Sequence, residues 1–322
     1  RLAMMDGLAL AVEADVDAVS DGKDTIIAGV MEHVEMAGVH SGDSAASFPA
    51  YTLSAVVVEK LKDMTRRLAV ALEVKGLINV QYAIKDNRIF ILEANPRASR
   101  TVPFLEKATG VPWAGIAARV MAGRALKDLA VAEGSPRGRW FVKEVVLPFN
   151  RFTNVDPILT PEMKSTGEVM GIGASFAEAF LKSQQAAGNN LPTNGGVLFS
   201  VSDRYKPETV DLARKLVDLG YMLFATVGTA RHLGERGLFV KPVRKISENS
   251  SEIIDLIGNG AIRLVINFRA TGVSQADARR IDRAALQHSV PVYSTLRAAQ
   301  ALMPALDLMH RGELSPVESL QE

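Results

Sequence analysis

The chain has 322 residues, of which 48% are hydrophobic and 23% charged, and its formal net charge at pH 7 is +1. A chain of this length is expected to form two domains, and its balanced charge gives no reason to expect nucleic acid or an anionic membrane as a partner. The sequence has no cysteine, which excludes disulfides and thiolate metal sites. It also lacks a long apolar run and the layout of a signal peptide, so we expect a cytoplasmic protein without a membrane span.

A polar face on a predicted hairpin is the first element that suggests chemistry. Apolar residues alternate with others over residues 78–84 and again over 89–95, as in half-buried strands, and the four residues between them favour a turn. We predict that Val80, Phe90 and Leu92 share the apolar face of this hairpin. The opposite face then carries Gln81, Glu93 and Asn95.

These three side chains have the chemistry of a metal site for phosphates. Amide and carboxylate oxygens are hard ligands, which Mg²⁺ or Mn²⁺ prefers when it bridges nucleotide phosphates. Arg97, two residues further on, adds a planar cation suited to phosphate oxygens. An ordinary solvated hairpin face is the competing interpretation, and spacing alone favours it because short polar faces are common.

The C-terminal part of the chain has a different pattern. Pro and Gly cluster at 134–138, and residues 187–196 have the composition of a linker. The residues after it alternate between strands and helices, which predicts a parallel sheet with helices on its faces. We expect strands at 197–201, 221–225, 262–268 and 290–293, and helices at 207–219, 252–257, 275–287 and 296–309.

One turn in this C-terminal part has the groups that an anion site needs. Residues 226–229 (Thr-Val-Gly-Thr) lie between a predicted strand and a predicted helix, where hydroxyls and main-chain N–H groups attract anions. Lys206, Lys245 and Asn267 follow other strands or lie in loops at comparable positions. A simple connection is the competing interpretation, and the turn alone favours it.

Several motifs in order resemble one family of enzymes. The runs NVQYAI (79–84) and LEANPRASRTVPF (92–104) resemble the ATP-grasp synthetases, most closely the second ATP-grasp unit of carbamoyl-phosphate synthase large subunits. The same subunits match DVDAVSDG from residue 15, the stretch 31–53 with its HSGDSA run, KEVVLPFNRF from 143 and MKSTGEVMG from 163. ATVGTA from 225 resembles their methylglyoxal-synthase-like regulatory domain. The order of these blocks over nearly the whole chain makes the resemblance specific.

The resemblance implies an α/β fold in three parts. Residues 1–123 would be the C-terminal part of an ATP-grasp domain, with a mainly antiparallel sheet and helices. Residues 124–187 would be a connector, and 188–322 a doubly wound parallel-sheet domain like methylglyoxal synthase. The chain opens partway through the ATP-grasp unit, without its glycine-rich lid or phosphate-gripping lysine. We therefore expect a C-terminal piece of a longer subunit, inactive towards ATP by itself.

The activity implied for the intact enzyme is ATP-dependent phosphorylation of carbamate to carbamoyl phosphate, which feeds arginine and pyrimidine synthesis. Its implied partners are a small glutaminase subunit and the rest of the large subunit. By resemblance, Gln81, Glu93 and Asn95 would hold Mg²⁺ or Mn²⁺, and Arg97 and Arg100 would neutralise the transferring phosphoryl group. The implied ATP contacts are Glu13, Gly38, Val39, His40, Ser41, Gln81 and Glu93.

Two effector sites are also implied by the resemblance. A nucleotide monophosphate would contact Lys206, Thr226, Thr229, Lys245 and Asn267. Phe268 and Arg269 replace small hydroxyl residues beside that site, so we expect an altered rim and a shifted nucleotide preference. An amino acid such as ornithine would bind Glu35, Asp43, Glu144 and Ser294, whose acids suit an ammonium group. K⁺ is expected near Glu35 and Ser44, and oligomers are expected to form through the regulatory domain.

Other interpretations remain open at this stage. A different ATP-grasp ligase would share the metal trio, but it is not expected to carry the HSGDSA run and the ATVGTA block together. The chain could instead act only as an effector-binding and assembly module. A stand-alone methylglyoxal synthase is remote. A zinc site at His33, Glu35, His40 and Asp43 fits no standard ligand spacing.

Overall fold

The computed structural model describes residues 11–37, 39–147, 162–268 and 275–316. These residues form a seven-stranded sheet followed along the chain by a five-stranded sheet. The expected α/β fold, with an antiparallel part and a doubly wound parallel part, is confirmed. In the described part of the chain, no helix combines the length and the hydropathy needed to cross a bilayer.

The first sheet is antiparallel throughout, in the order β5-β4-β1-β2-β3-β6-β7. Its strands are β1 (Val12–Asp21), β2 (Thr25–Met36), β3 (Ala46–Phe48), β4 (Lys75–Lys85), β5 (Arg88–Asn95), β6 (Trp140–Val146) and β7 (Gly167–Gly173). Helix α1 (Ala55–Ala71) packs on one face of the sheet, while α2 (Thr101–Thr109) and α3 (Trp113–Met121) pack on the other.

The segment predicted as a connector contributes to this sheet. Strands β6 and β7 both lie within residues 124–187, and they extend the sheet beyond β3. The helix after them, α4 (Phe176–Ala186), packs against both strands. The expectation of a mere connector is therefore wrong for this stretch, because the alternation that marks β6 and β7 becomes meaningful only next to β3, some 100 residues earlier.

The second sheet is parallel, in the order β10-β9-β8-β11-β12. Helices cover both of its faces, with α5, α6 and α9 on one and α7 and α8 on the other. Its elements are β8 (Gly196–Val201), α5 (Lys206–Asp218), β9 (Met222–Thr226), α6 (Val227–Gly234), β10 (Val240–Val243), α7 (Glu252–Gly258), β11 (Ile262–Phe268), α8 (Gln275–Gln287), β12 (Val292–Tyr293) and α9 (Leu296–Arg311). The predicted strands and helices of this part are all present, and the short edge strand β10 was missed.

The two sheets are joined by a shared core and by one buried ion pair. Helices α4 and α9 pack against each other, and one hydrophobic cluster contains Val34 of β2 together with Leu302 of α9. Arg297 of α9 donates from Nη2 to Oε1 of Glu32 at 2.9 Å. Glu32 is fully buried and also accepts the N–H groups of residues 51, 52 and 53. This pair therefore ties the C-terminal part to β2.

Replacing Arg297 with Met is expected to lower the free energy of unfolding by about 3 kcal/mol. The reason is that the Glu32 carboxylate stays buried and charged after its cation has gone, although three N–H groups still solvate it. Urea unfolding of the Arg297→Met, Glu32→Gln and double variants would measure this loss. An additive double variant would mean that the two groups do not interact.

Candidate functional site

Strand β1 carries a row of carboxylates on one face of the first sheet. Its sequence alternates apolar and acidic residues from Val12 onward, so Ala14 and Val16 pack under α1. Strand geometry turns the intervening residues to the opposite face. These are Glu13, Asp15 and Asp17, all buried. That face is covered by α2 and α3 near Val19 and leaves room for a polar site further along.

The predicted polar trio also lies on this face. In the β4–β5 hairpin Gln81 pairs directly with Glu93, and Asn79 pairs with Asn95. Cross-strand partners project their side chains to the same face, and β4 places Gln81 beside Asp15 of β1. Asn95 donates from Nδ2 to Oε1 of Glu93 at 3.1 Å. The structure thus brings Gln81, Glu93 and Asn95 together, and their role as metal ligands stays a prediction.

The prediction that Phe90 and Leu92 lie on the apolar face of the hairpin is wrong. The register shifts between Gln81 and Tyr82, so that Tyr82 pairs with Ile91 and Leu92 is the extra residue of a bulge. Phe90 and Leu92 pack near Ala83 on the polar side of the sheet instead of joining Val80 and Tyr82 under α1. A bulge adds one residue, which reverses the alternation, and single-strand periodicity does not reveal it.

These side chains open into a small cavity of about 90 Å³. It is lined from β1, β4, β5, β6 and β7 and from the loops at 40–42 and 97–101. Arg97 and Arg100 are exposed, so the two guanidinium groups lie at its mouth. The lining residues are Asp15, His40, Ser41, Gly42, Asn79, Gln81, Glu93, Asn95, Arg97, Ser99, Arg100, Thr101, Lys143 and Glu168.

Asp17 anchors the loop that carries the two arginines. Its carboxylate accepts hydrogen bonds from Ser99 Oγ at 2.6 Å, from Thr101 Oγ1 and from Asn79 Nδ2 at 3.1 Å. Burial raises the pKa of Asp17 to about 6 despite these donors. Sequence reasoning assigned Asp17 no role, although the acidic alternation in β1 was a signal that one face of this strand is polar.

A second acidic group on β1 approaches His33 of β2. The imidazole Nε2 of His33 lies 3.4 Å from Oδ2 of Asp15, and Glu13 is close enough for all three residues to surround one ion. Burial lowers the pKa of His33, but the charge of Asp15, its hydrogen bond to the ring and the charge of Glu13 together outweigh burial, so the pKa is raised. A raised pKa favours a protonated ring, which pairs with Asp15 and does not ligate metal. We therefore read this cluster as an ion pair.

The residues expected to contact ATP are divided between the cavity and its surroundings. His40 and Ser41 line the cavity, where His40 Nδ1 accepts the N–H of Gly42 at 3.0 Å. Val39 lies just before them, and Glu13 is buried on β1 outside the lining. Gly38 lies outside the described residues. The zinc interpretation gains no support, since the one metal-like group among the described residues shares only His33 with it.

Two of the four residues expected at the amino-acid site lie close together. Glu35 accepts from Ser44 Oγ at 2.6 Å and from the N–H of Ala45 at 2.7 Å. Burial, and next the charge of Glu35, raise the pKa of Glu144 to about 8. Asp43 is buried nearby in the chain, but its oxygens already accept the N–H groups of residues 164 and 165. The K⁺ expected near Glu35 and Ser44 stays a prediction.

The role expected of Ser294 at this site stays a prediction, and the residue before it is linked to Glu144 through Gln184. Ser294 is exposed, whereas Tyr293 is buried with its hydroxyl 3.4 Å from Oε1 of Gln184. Gln184 in turn donates from Nε2 to Glu144. Sequence reasoning missed Tyr293 and Gln184.

A larger pocket of about 510 Å³ lies at the carboxyl edge of the parallel sheet. All five residues expected to contact a nucleotide line it, namely Lys206, Thr226, Thr229, Lys245 and Asn267. The N-terminus of α6 borders it, and a Cβ at Gly228 would come within 3.2 Å of Lys206 Nζ. Ser202, which sequence reasoning missed, also lines the pocket, and its buried Oγ has no hydrogen-bond partner.

Phe268 lines this pocket and is also part of the hydrophobic core, so the altered rim expected there stays a prediction. Its side chain is 2% exposed and packs edge-on against Tyr205, with 5.8 Å between ring centroids. Phe268 therefore belongs to the hydrophobic core on one face of the sheet, while Asn267 points to the other. Arg269 lies outside the described residues.

Both parts of the chain match known protein families. Residues 8–129 match the profile of the carbamoyl-phosphate synthase L chain, ATP binding domain, and residues 208–294 match the MGS-like domain. Among solved structures, the biotin carboxylase domain of a single-chain bacterial carboxylase superposes on 55% of this chain with 16% identity and a TM-score of 0.44.

Individual relatives are much closer in sequence. The carbamoyl phosphate synthase large chain, C-terminal section, of Aquifex aeolicus is 49% identical over 97% of this chain and 62% of its own length. The large chain of Methanoculleus marisnigri is 50% identical over 95% of this chain but 29% of its own. A large chain of Methanosarcina barkeri is 45% identical over 98% of this chain and 80% of its own. The chain belongs to the carbamoyl phosphate synthase large chain family and corresponds to its C-terminal section, with an ATP-binding and an MGS-like domain.

Proposed function

We propose that this chain supplies the carbamate-phosphorylating site of a carbamoyl phosphate synthase. The observation that carries the proposal is the register of the β4–β5 hairpin, which sets Gln81 opposite Glu93 and beside Asn95 in one cavity. Their oxygens are the donor set that Mg²⁺ or Mn²⁺ prefers, so the residues present fit such an ion. When bound, the ion would bridge and neutralise ATP phosphates.

In this reaction, positioning and charge do most of the work. A carbamate oxygen forms a bond to the γ-phosphorus, and the bond from that phosphorus to the bridging oxygen of ADP breaks. Arg97 and Arg100, at the cavity mouth, would neutralise charge on the phosphoryl group in flight. Asp17 holds their loop through Ser99 and Thr101, so it would keep both guanidinium groups in place.

The reverse reaction tests this proposal. A complete large chain that contains this sequence should form ATP from ADP and carbamoyl phosphate, and only when Mg²⁺ or Mn²⁺ is present. Coupled measurement of ATP, with a metal-chelated control, would detect it. An active enzyme whose rate does not depend on divalent metal would contradict the metal assignment.

The 322-residue chain alone is expected to turn over no ATP. The resemblance assigns the glycine-rich lid and the phosphate-gripping lysine of an ATP-grasp unit to other residues than these 322, and phosphoryl transfer needs the nucleotide to be held in reactive geometry. Incubation with ATP, bicarbonate and ammonia, followed by measurement of ADP, would test this. Turnover above that of a Glu93→Gln control would contradict it, and its absence fits the view that the isolated chain is an effector-binding module.

We further propose that the larger pocket binds a phosphate-bearing effector, in the class of nucleotide monophosphates. Lys206, Lys245 and the N-terminus of α6 supply positive potential there, and Thr226 and Thr229 supply hydroxyls. Isothermal titration with uridine and inosine monophosphates should show binding that Lys245→Ala weakens by about tenfold. Binding that is unaffected by this change would place the site elsewhere.

We also propose the remaining features of the intact enzyme from its family membership. The chain would work with the rest of the large subunit and a small glutaminase subunit in the cytoplasm, in arginine and pyrimidine synthesis. The predicted site of Glu35, Asp43, Glu144 and Ser294, with Tyr293 near Glu144, would take an amino-acid effector such as ornithine through its ammonium group. Oligomers would form through the regulatory domain.

A further inference from the structure

A fully buried lysine lines the small cavity and has no part in the function described so far. Lys143 of β6 is 1% exposed and pairs with β3 on one side and β7 on the other, in the interior of the sheet. Lysine is almost never fully buried without a partner, because removing an ammonium group from water costs several kcal/mol. Its position in a cavity lined by Gln81 and Glu93 therefore calls for a reason.

The protein satisfies this ammonium group only in part. Nζ donates to the carbonyl oxygen of Ser41 at 3.1 Å. The carboxylate of Glu168 lies 3.8 Å away, outside hydrogen-bond distance, and its side chain is 30% exposed. An ammonium group has three N–H donors. Within the described part of the chain, Nζ makes one hydrogen bond, to Ser41, so Lys143 has N–H groups that can donate to an anion entering the cavity.

The distribution of the cations separates two ends of the cavity. Arg97 and Arg100 are exposed and lie at its mouth, whereas Lys143 lies at the buried end. A volume of about 90 Å³ suits an anion of a few heavy atoms and is too small for a nucleotide. Nucleotide phosphates would therefore approach the arginines and the metal ligands, and the small acceptor would lie deeper, next to the lysine.

We propose that Lys143 binds the carboxylate of the acceptor, carbamate, and orients it for attack on the γ-phosphorus. This inference rests on the function proposed above. One carbamate oxygen forms the new bond to phosphorus, ADP leaves with the electron pair of the broken P–O bond, and Lys143 neither gives nor takes a proton. The compact ammonium charge would hold the other end of the acceptor in place.

The competing role for Lys143 is structural, since its bond to Ser41 fixes the loop next to His40. The two roles differ in which substrate they affect. In a complete large chain, Lys143→Met should raise the KM for carbamoyl phosphate at least about tenfold in the reverse reaction, while the KM for ADP changes less than about twofold. A structural role would raise the KM for ADP, because the 40–41 loop is the proposed nucleotide contact.

Two further variants keep the test decisive. Lys127→Met removes an exposed lysine outside the cavity lining and should leave both KM values unchanged. Glu168→Gln, on the accessible side of Lys143, should lower the KM for carbamoyl phosphate because it removes a competing anion, and it answers the question even if Lys143→Met fails to fold. Unchanged carbamoyl phosphate KM values in Glu168→Gln and in folded Lys143→Met would overturn the inference alone. Absence of metal-dependent ATP formation in the unaltered enzyme would overturn the proposed function and this inference with it.

Discussion

Changing Glu93 to Gln in a complete large chain is expected to lower the rate of ATP formation from ADP and carbamoyl phosphate by about 100- to 1000-fold. Glu93 is the formal negative charge of the trio, and it accepts the hydrogen bond that orients the Asn95 amide. A glutamine keeps the size of the side chain but removes the charge, and it can turn its NH₂ group towards the ion. Both the metal affinity and the orientation of Asn95 would suffer.

The matched control for this change is Glu59→Gln. Glu59 lies on α1, forms an exposed ion pair with Lys62 at 2.8 Å and does not line the cavity. Exposed pairs of this kind contribute little to stability, so the control should keep its full rate. Equal rates for the Glu93 and Glu59 variants would mean that the trio does not hold the catalytic metal.

Glu144→Gln is expected to remove a pH dependence from the stability of the protein. Burial and the nearby charge of Glu35 raise the pKa of Glu144 to about 8 in the folded state, above its usual value of 4.5. A group with a raised folded pKa contributes stability that is fully present below its unfolded pKa and is lost as pH rises through the folded pKa. The native chain should therefore lose stability between about pH 4.5 and pH 8, on the order of 5 kcal/mol.

Urea unfolding at pH 5 and pH 9 would measure this loss. The free energy of unfolding of Glu144→Gln should change less between the two pH values than that of the native chain, since a glutamine cannot ionise. Glu248→Gln, which removes an exposed acid, should behave like the native chain. A Glu144→Gln variant that keeps the native pH dependence would show that another group is responsible.

How far the sequence predicts this structure depends on the range of the interactions. Most elements of the parallel sheet were predictable from local periodicity and turn residues, whereas the short edge strand β10 was missed. Strands β6 and β7 were not predictable in this way, since they join β3 only in the folded chain. The bulge at Leu92 was hidden for the same reason, because it exists only relative to the register of β4.

The residues of the candidate site also fall into those that local sequence predicts and those that it does not. Gln81, Glu93 and Asn95 were found because strand alternation places them on one face of a local hairpin. Asp17 and Lys143 were missed, because their roles depend on a loop and on strands far apart in the chain. Tyr293 and Gln184 were missed for the same reason, since their link to Glu144 joins β12, α4 and β6.

The decisive experiment for the metal site is a structure of the complete large chain with ADP and Mn²⁺, in which anomalous scattering locates the metal. Manganese is expected in the small cavity, with Glu93 and Asn95 oxygens at about 2.1 Å and an ADP phosphate as a further ligand. Manganese bound instead between Glu13, Asp15 and His33, with no ligand from Gln81, Glu93 or Asn95, would contradict it.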